Sequence, residues 1–260
     1  MELPIFQIDA FADAVFGGNP AAVCPLDRWL DTGVMQAIAA ENNLAETAFF
    51  VGTDGSYDLR WFTPTVEVDL CGHATLASAF AIFERLAPQT DRIRFRTRSG
   101  DLEVTRRDDG MIFLDFPAYP GPAVDCPDAL SRGLDADPVT VIEGPNYMAV
   151  FGAEADIAAM APDMDTIALL HPRGVIATAR GESCDFVSRY FGPSFGVPED
   201  SVTGSAHCML TPYWARRLGR DRLDARQISE RGGRLVCEDR GDRVGIGGRA
   251  VLYLEGTITV

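Results

Sequence analysis

Residue types with chemical potential concentrate at two short segments, Cys71-Gly72-His73-Ala74-Thr75 and Thr203-Gly204-Ser205-Ala206-His207. Each sets a Gly-polar-Ala triplet at the start of an apolar stretch. A small residue opening a helix leaves backbone N–H groups free, and with the helix dipole they attract an anion. Two such ends brought to one cleft would suit a small carboxylate. Routine helix capping by Thr203 and Ser205 is the plainer reading of either junction alone. Glu46, in Asn43-Leu44-Ala45-Glu46-Thr47-Ala48-Phe49, is flanked by apolar residues. Poor solvation there would raise its pKa toward the range useful for general acid–base work, whereas a surface glutamate at a strand start would do nothing of the kind.

Other chemistries fit these residues less well. Cys71, His73, His207 and Cys208 have poor spacing for a tetrahedral zinc site, so no metal is expected. An epimerase or racemase using Cys71 as one base is a rival, because Cys71 directly precedes a helix-opening glycine. Its counterpart in the second segment is Thr203, however, and Cys208 lies five residues further on, so a two-thiol pair is out of register. Thr203–His207 is not the Gly-x-Ser-x-Gly elbow of hydrolases, and Gly245-Ile246-Gly247-Gly248 reads as a turn between strands. All 23 basic residues are arginine. Without lysine, pyridoxal-phosphate and Schiff-base chemistry, a Walker A loop and the usual protein-kinase site are excluded. No cofactor is expected.

The elements that must position these residues repeat. Arg60-Trp61-Phe62-Thr63-Pro64 and Arg189-Tyr190-Phe191-Gly192-Pro193 share one pattern. The arginines lie 129 positions apart (189 − 60) and the glycines 132 apart (204 − 72), close to half of the 260-residue chain. That offset predicts two homologous halves facing each other across a pseudo-twofold axis. His73–Leu86 and Ser205–Leu218 read as buried helices, Asp31–Asn42 and Glu154–Met160 as outer ones. Short alternating runs between Gly, Asp and Pro turns read as strands: Ile5–Phe11, Thr47–Gly52, Arg92–Thr97, Leu102–Arg106, Met111–Phe116, Val139–Glu143, Tyr147–Phe151, Gly174–Thr178, Leu235–Glu238, Arg243–Ile246 and Ala250–Glu255. The expected fold class is α+β, with two pseudo-symmetric lobes, each a curved, largely antiparallel sheet wrapped around a buried helix. The Pro-rich stretch Phe116–Pro122 is the linker, giving an N-terminal lobe over 1–117 and a C-terminal lobe over 118–260, with terminal strands free to cross over.

Composition sets outer bounds. Hydrophobic residues are 47% of the chain, enough for a sizeable core, and the formal charge is −15. A surface that negative argues against nucleic-acid and membrane-surface partners while leaving room for a local pocket that takes a small anion. No run approaches the roughly 18 apolar residues of a membrane helix. The absence of a basic leader and the six scattered cysteines, read as free thiols, give a cytoplasmic expectation.

Taken together, Gly18-Asn19-Pro20-Ala21-Ala22-Val23, Asn43–Phe49, Arg60–Pro64 with Glu67–Thr75, and Glu199-Asp200 with Val202–Cys208 resemble the PhzF family, the phenazine biosynthesis-like proteins. The family shares the two-lobed diaminopimelate-epimerase fold with proline racemase, and its best-understood member isomerises trans-2,3-dihydro-3-hydroxyanthranilate without a cofactor. The resemblance implies that Glu46 is a catalytic glutamate that removes a proton from one carbon and returns it to another. It implies that His73 and Asp200 orient the substrate and assist proton movement. Gly72, Gly204 and Ser205 match the helix ends that receive its carboxylate, and Asn19, Ala74 and Thr203 complete the substrate-binding set. Ala45 stands where the family often has serine, and Ser201 where proline usually follows the Glu-Asp pair. The expected activity is cofactor-independent isomerisation of a small carboxylic acid by carbon-to-carbon proton transfer; a carboxylate-binding protein without turnover is a further alternative. A homodimer is expected through the resemblance alone.

Overall fold

Short strands with buried and exposed side chains in alternation dominate the chain. In Arg92–Thr97, for example, Ile93 and Phe95 are buried while the arginines are exposed. The computed structural model describes residues 1–260, and these divide into two units, Met1–Asp115 with Gly247–Val260, and Phe116–Ile246.

The first unit runs β1 (Glu2–Ala10), β2 (Asn19–Leu26), α1 (Thr32–Asn42), β3 (Glu46–Thr53), β4 (Ser56–Phe62), β5 (Glu67–Val68), α2 (Gly72–Ala81), β6 (Arg92–Thr97), β7 (Gly100–Arg106) and β8 (Ile112–Pro117). β1 pairs antiparallel with β2, and β2 runs parallel to β3. β4 pairs antiparallel with β3 and β5 and parallel with β6. Asp31 caps α1 by accepting from the Gly33 amide, and Asn43 ends it in the left-handed region. α1 covers the outer face through Met35, Ile38 and Ala39, packed with Cys24, Phe49 and Phe62. α2 is central: of its ten residues only Phe80 is not fully buried. Its small side chains (four alanines, Gly72, Ser78) let strands β1, β2 and β3 approach closely. One π-turn, Ile82–Leu86, ends it.

The second unit repeats this scheme. It comprises β9 (Ala123–Val124), α3 (Asp128–Leu134), β10 (Thr140–Glu143), β11 (Tyr147–Val150), α4 (Glu154–Ala158), α5 (Met164–Ala168), β12 (Val175–Arg180), β13 (Phe186–Gly192), β14 (Val197–Asp200), α6 (His207–Leu218), β15 (Arg222–Gln227), β16 (Gly233–Asp239) and β17 (Arg243–Gly248). As β2 is to β3, so β11 runs parallel to β12. β13, like β4, pairs antiparallel with the strands before and after it and parallel with a later one, β15. Leu130, Ile157, Ile167 and Val187 build its outer core. β18 (Ala250–Thr259) then rejoins the first unit, antiparallel to β1 from Glu2↔Thr259 to Ala10↔Ala250. Each unit is thus a largely antiparallel sheet around one buried helix, as expected for the fold class.

The repeated Arg-aromatic-Phe pattern has the same structural meaning twice. Arg60 forks Glu67 (Nε–Oε1 2.7 Å, Nη2–Oε2 2.8 Å) with its guanidinium over Phe62. Arg189 forks Glu199 at 2.7 and 2.8 Å and lies over Phe191. Both pairs clamp the short return strand that leads to a glycine-opened helix. The three extra residues of the second copy fall in a 3₁₀ turn, Pro193–Phe195. They explain why the offset grows from 129 to 132 between proline and glycine. No helix is long and apolar enough to cross a membrane.

Candidate active site

In the first unit three elements converge on one imidazole. The β1–β2 turn ends at Gly18, whose φ of +64° suits glycine and where a Cβ would meet the carbonyl oxygen of Ala10. Asn19, buried, follows as the first residue of β2. The parallel register of β2 and β3 sets Glu46 beside Ala21, two residues further on. His73 is the second residue of α2 and is buried. Its Nε2 lies 3.0 Å from Glu46 Oε2, while Asn19 Nδ2 is 3.1 Å and Cys71 Sγ 3.6 Å from Nδ1. When Nδ1 accepts from the Asn19 amide, the proton of the neutral ring sits on Nε2 and faces Glu46. Protonation keeps that N–H in place, with the Asn19 amide turned to offer Oδ1.

The electrostatics follow from burial. Desolvation disfavours a charged His73, but the Cys71 sulfur and the Glu46 carboxylate outweigh it, and its pKa lies well above the ordinary value. Burial pushes the Cys71 thiol up to about 11. It is therefore neutral at pH 7, and the support His73 has there comes from Glu46. A neutral, deeply buried thiol is a poor base, which weighs against the rival that relied on Cys71. Glu46, Cys71 and His73 offer three donors within 4.8 Å of one another. Glu46 approaches one ring nitrogen and Cys71 the other, so an ion shared by Glu46 and Nε2 would leave the thiol against Nδ1. The first hydrogen bond of α2 runs from the Thr75 amide to Cys71 O, which leaves the Gly72 and His73 amides without a helical acceptor. The Cys71 side chain does not cap them.

The second unit has its own network. β13 and β14 pair Tyr190 with Asp200. Asp200 Oδ2 accepts from the Thr203 hydroxyl at 2.6 Å. Gln227 Oε1 accepts from the Thr203 amide at 2.8 Å, and Gln227 Nε2 donates to Asp200 O at 2.7 Å and to Thr203 Oγ1 at 3.2 Å. Because the Thr203 hydroxyl accepts from Gln227, its own proton points at Asp200. The Ala206 amide donates to Thr203 O, so Gly204 and Ser205 present amides free of a helical acceptor. His207 Nδ1 lies 2.9 Å from Thr203 O, and burial lowers its pKa to about 4. It is a neutral prop.

Asn19, Glu46, Gly72, His73 and Ala74 are therefore gathered within the first unit, and Asp200, Thr203, Gly204 and Ser205 within the second. Gln227 was not anticipated, because its strand was not recognised. The pattern Arg222-Leu-Asp-Ala-Arg-Gln227 alternates exposed and inward residues and places the glutamine on the buried face. The helix expected over Ser205–Leu218 instead opens with a 3₁₀ turn, Gly204–Ala206, before α6 begins.

Residues 8–256 match the phenazine biosynthesis-like protein (PhzC–PhzF) family. The chain belongs to this family. It is 55% identical over 258 residues, 99% of both chains, to an uncharacterized isomerase of Pseudomonas aeruginosa. A PhzF-family crystal structure from Enterococcus faecalis superposes with a TM-score of 0.96 at 44% identity, covering all of both chains. The fold is shared more widely: a hydroxyproline epimerase from Agrobacterium vitis matches with a TM-score of 0.63 at 10% identity, over 99% of this chain and 92% of that one. These neighbours identify the architecture as the epimerase-like fold of the PhzF family.

Proposed function

We propose that the protein is a cofactor-independent isomerase that moves a proton between two carbons of a small carboxylic acid. The carrying observation is the approach of Glu46 Oε2 to the buried His73 Nε2 at 3.0 Å. The names of its relatives support the reaction class. In this reading Glu46 Oε takes a proton from a substrate carbon, becomes a carboxylic acid, and returns the proton to a second carbon. His73, held from behind by Asn19, orients that carboxylate and offers an N–H where negative charge develops, which is where a preorganised donor is most effective.

The Gly72 and His73 amides, which lack a helical acceptor, suit a substrate carboxylate, with Ala74 as their small neighbour. In the second unit, Gly204 and Ser205 carry the corresponding amides, and Thr203 and Asp200 are assigned the orientation of polar substituents. Deuterium incorporation from heavy water into candidate acids tests the proposal. Incorporation with the unaltered protein and its loss in Glu46→Gln are expected; equal rates in the two would remove Glu46 from the role. Asp200→Asn is expected to weaken substrate binding more than it slows exchange.

A further inference from the structure

A cavity of about 570 Å³ opens in the second unit between the end of α6, the start of β10 and the ends of β11 and β12. Its walls combine two kinds of surface. Val150, Phe151 and Trp214 are buried apolar residues, and Val139 is 73% exposed. Among them stand Thr140, Arg180, Tyr213 and Arg217. Many arginines elsewhere in the chain hold carboxylates, as Arg60, Arg189 and Arg220 do, though not all of them. Neither Arg180 nor Arg217 has a carboxylate within 4.0 Å, in a chain with 38 acidic residues. A basic residue in the last turn of a helix eases its carbonyl end, and that accounts for Arg217 or its neighbour Arg216. It does not account for Arg180, at the end of a strand. Two guanidinium groups and two hydroxyls, all able to donate, thus line an apolar hollow that supplies no carboxylate to receive them.

We propose that this cavity is a second ligand site, separate from the residues assigned to isomerisation, for a small organic anion with an aromatic or branched apolar body. Arg180 and Arg217 receive the anionic group, and the body packs against Trp214, Phe151 and Leu218. Trp214 is anchored for this: its ring stacks on Phe186 at 5.8 Å and 4°, and its Nε1 donates to Thr178 Oγ1 at 3.0 Å.

Calorimetric titration of the full chain with 2-naphthoate tests the site, with 2-naphthamide as a neutral isostere and Trp214 fluorescence as a local reporter in a Trp29→Phe, Trp61→Phe background. Saturable naphthoate binding that changes Trp214 emission is expected, with naphthamide at least about tenfold weaker. Arg180→Gln and Arg217→Gln should each weaken naphthoate roughly five- to tenfold, and the double variant should abolish it. Both arginines are exposed, so folding is spared. Glu46→Gln and Thr203→Val should leave the affinity unchanged. No binding to the unaltered protein, equal binding to the double arginine variant, or loss in Thr203→Val would each overturn the proposal. None of these outcomes bears on the isomerase reading, which is tested by deuterium exchange.

Discussion

The two copies of the arginine clamp should differ in strength, and the difference can be worked from their surroundings. Arg189 forks Glu199 and also donates from Nη1 to the carbonyls of Ile157 (3.1 Å) and Met160 (2.6 Å). Arg189→Met keeps the stem over Phe191 but strips all four contacts. The Met160 carbonyl, left without a donor, costs about 1 kcal/mol, and the Ile157 carbonyl, which keeps the Met160 amide at 3.4 Å, about 0.5 kcal/mol. Orphaning a carboxylate adds about 1–2 kcal/mol, discounted from the 3–5 of a fully buried pair because the Glu199 side chain is 24% exposed. The total is about 3 kcal/mol. Arg60→Met should cost less, about 1.5 kcal/mol, because Glu67 keeps Arg98 Nη2 at 2.8 Å and, beyond Glu67, the Arg60 guanidinium bonds only the exposed Thr32 hydroxyl and lies over Trp29 at 5.4 Å. At roughly 3 °C per kcal/mol for a chain of this size, differential scanning calorimetry at pH 7 should show Tm falling by about 10 °C in the first variant and about 5 °C in the second. An equal or larger loss in Arg60→Met would refute the reasoning, since neither Arg98 nor the two carbonyls would then matter.

Three further outcomes follow from the buried titratable groups. His73, raised by the adjacent Glu46 carboxylate against the pull of burial, should titrate well above the usual histidine range by NMR. Its stabilising effect is complete below about pH 6.5 and is lost as pH rises through the folded value; Glu46→Gln should lower that value and flatten the alkaline limb of the stability profile. His207, lowered to about 4 by burial, has the opposite sign: its contribution is present above about pH 6.5 and is lost as pH falls toward 4, so its ring should remain neutral by NMR at pH 5.5. With its thiol at about 11, native Cys71 should resist iodoacetamide at pH 8 while the exposed Cys126 reacts, and Cys71→Ala should keep deuterium exchange within about threefold of the unaltered protein; a collapse of exchange would reinstate the thiol as a base.

Much of this molecule was legible in the residues because the chain states its main motif twice. Arg-aromatic-Phe, a proline and a glycine-opened helix recur at nearly constant offset, and the paired strands and central helices follow the same scheme in both units. The helix expected over Asp31–Asn42 matches α1 within a residue, and its ends are fixed by local capping at Asp31 and Asn43. The partners of the two clamping arginines were not legible. Glu67 and Glu199 lie seven and ten residues away, and the turn at Pro193–Phe195 hides their equivalence. α3 and α5, only seven and five residues long, offer too little periodicity to be read. Gln227 escaped for another reason. An inward polar residue on a strand is justified only by what it touches, here Thr203 and Asp200, which are 24 and 27 positions earlier.

The return of β18 to β1 has a consequence for synthesis on the ribosome. Phe116–Ile246 is one uninterrupted stretch and can fold as soon as it emerges. The other unit cannot do so: β1 pairs along its length with residues 250–259, which are translated after the whole of Phe116–Ile246. The unit that holds β1 is therefore completed only after the other has been made, and until then β1 offers an unpaired edge on the side that β18 will cover.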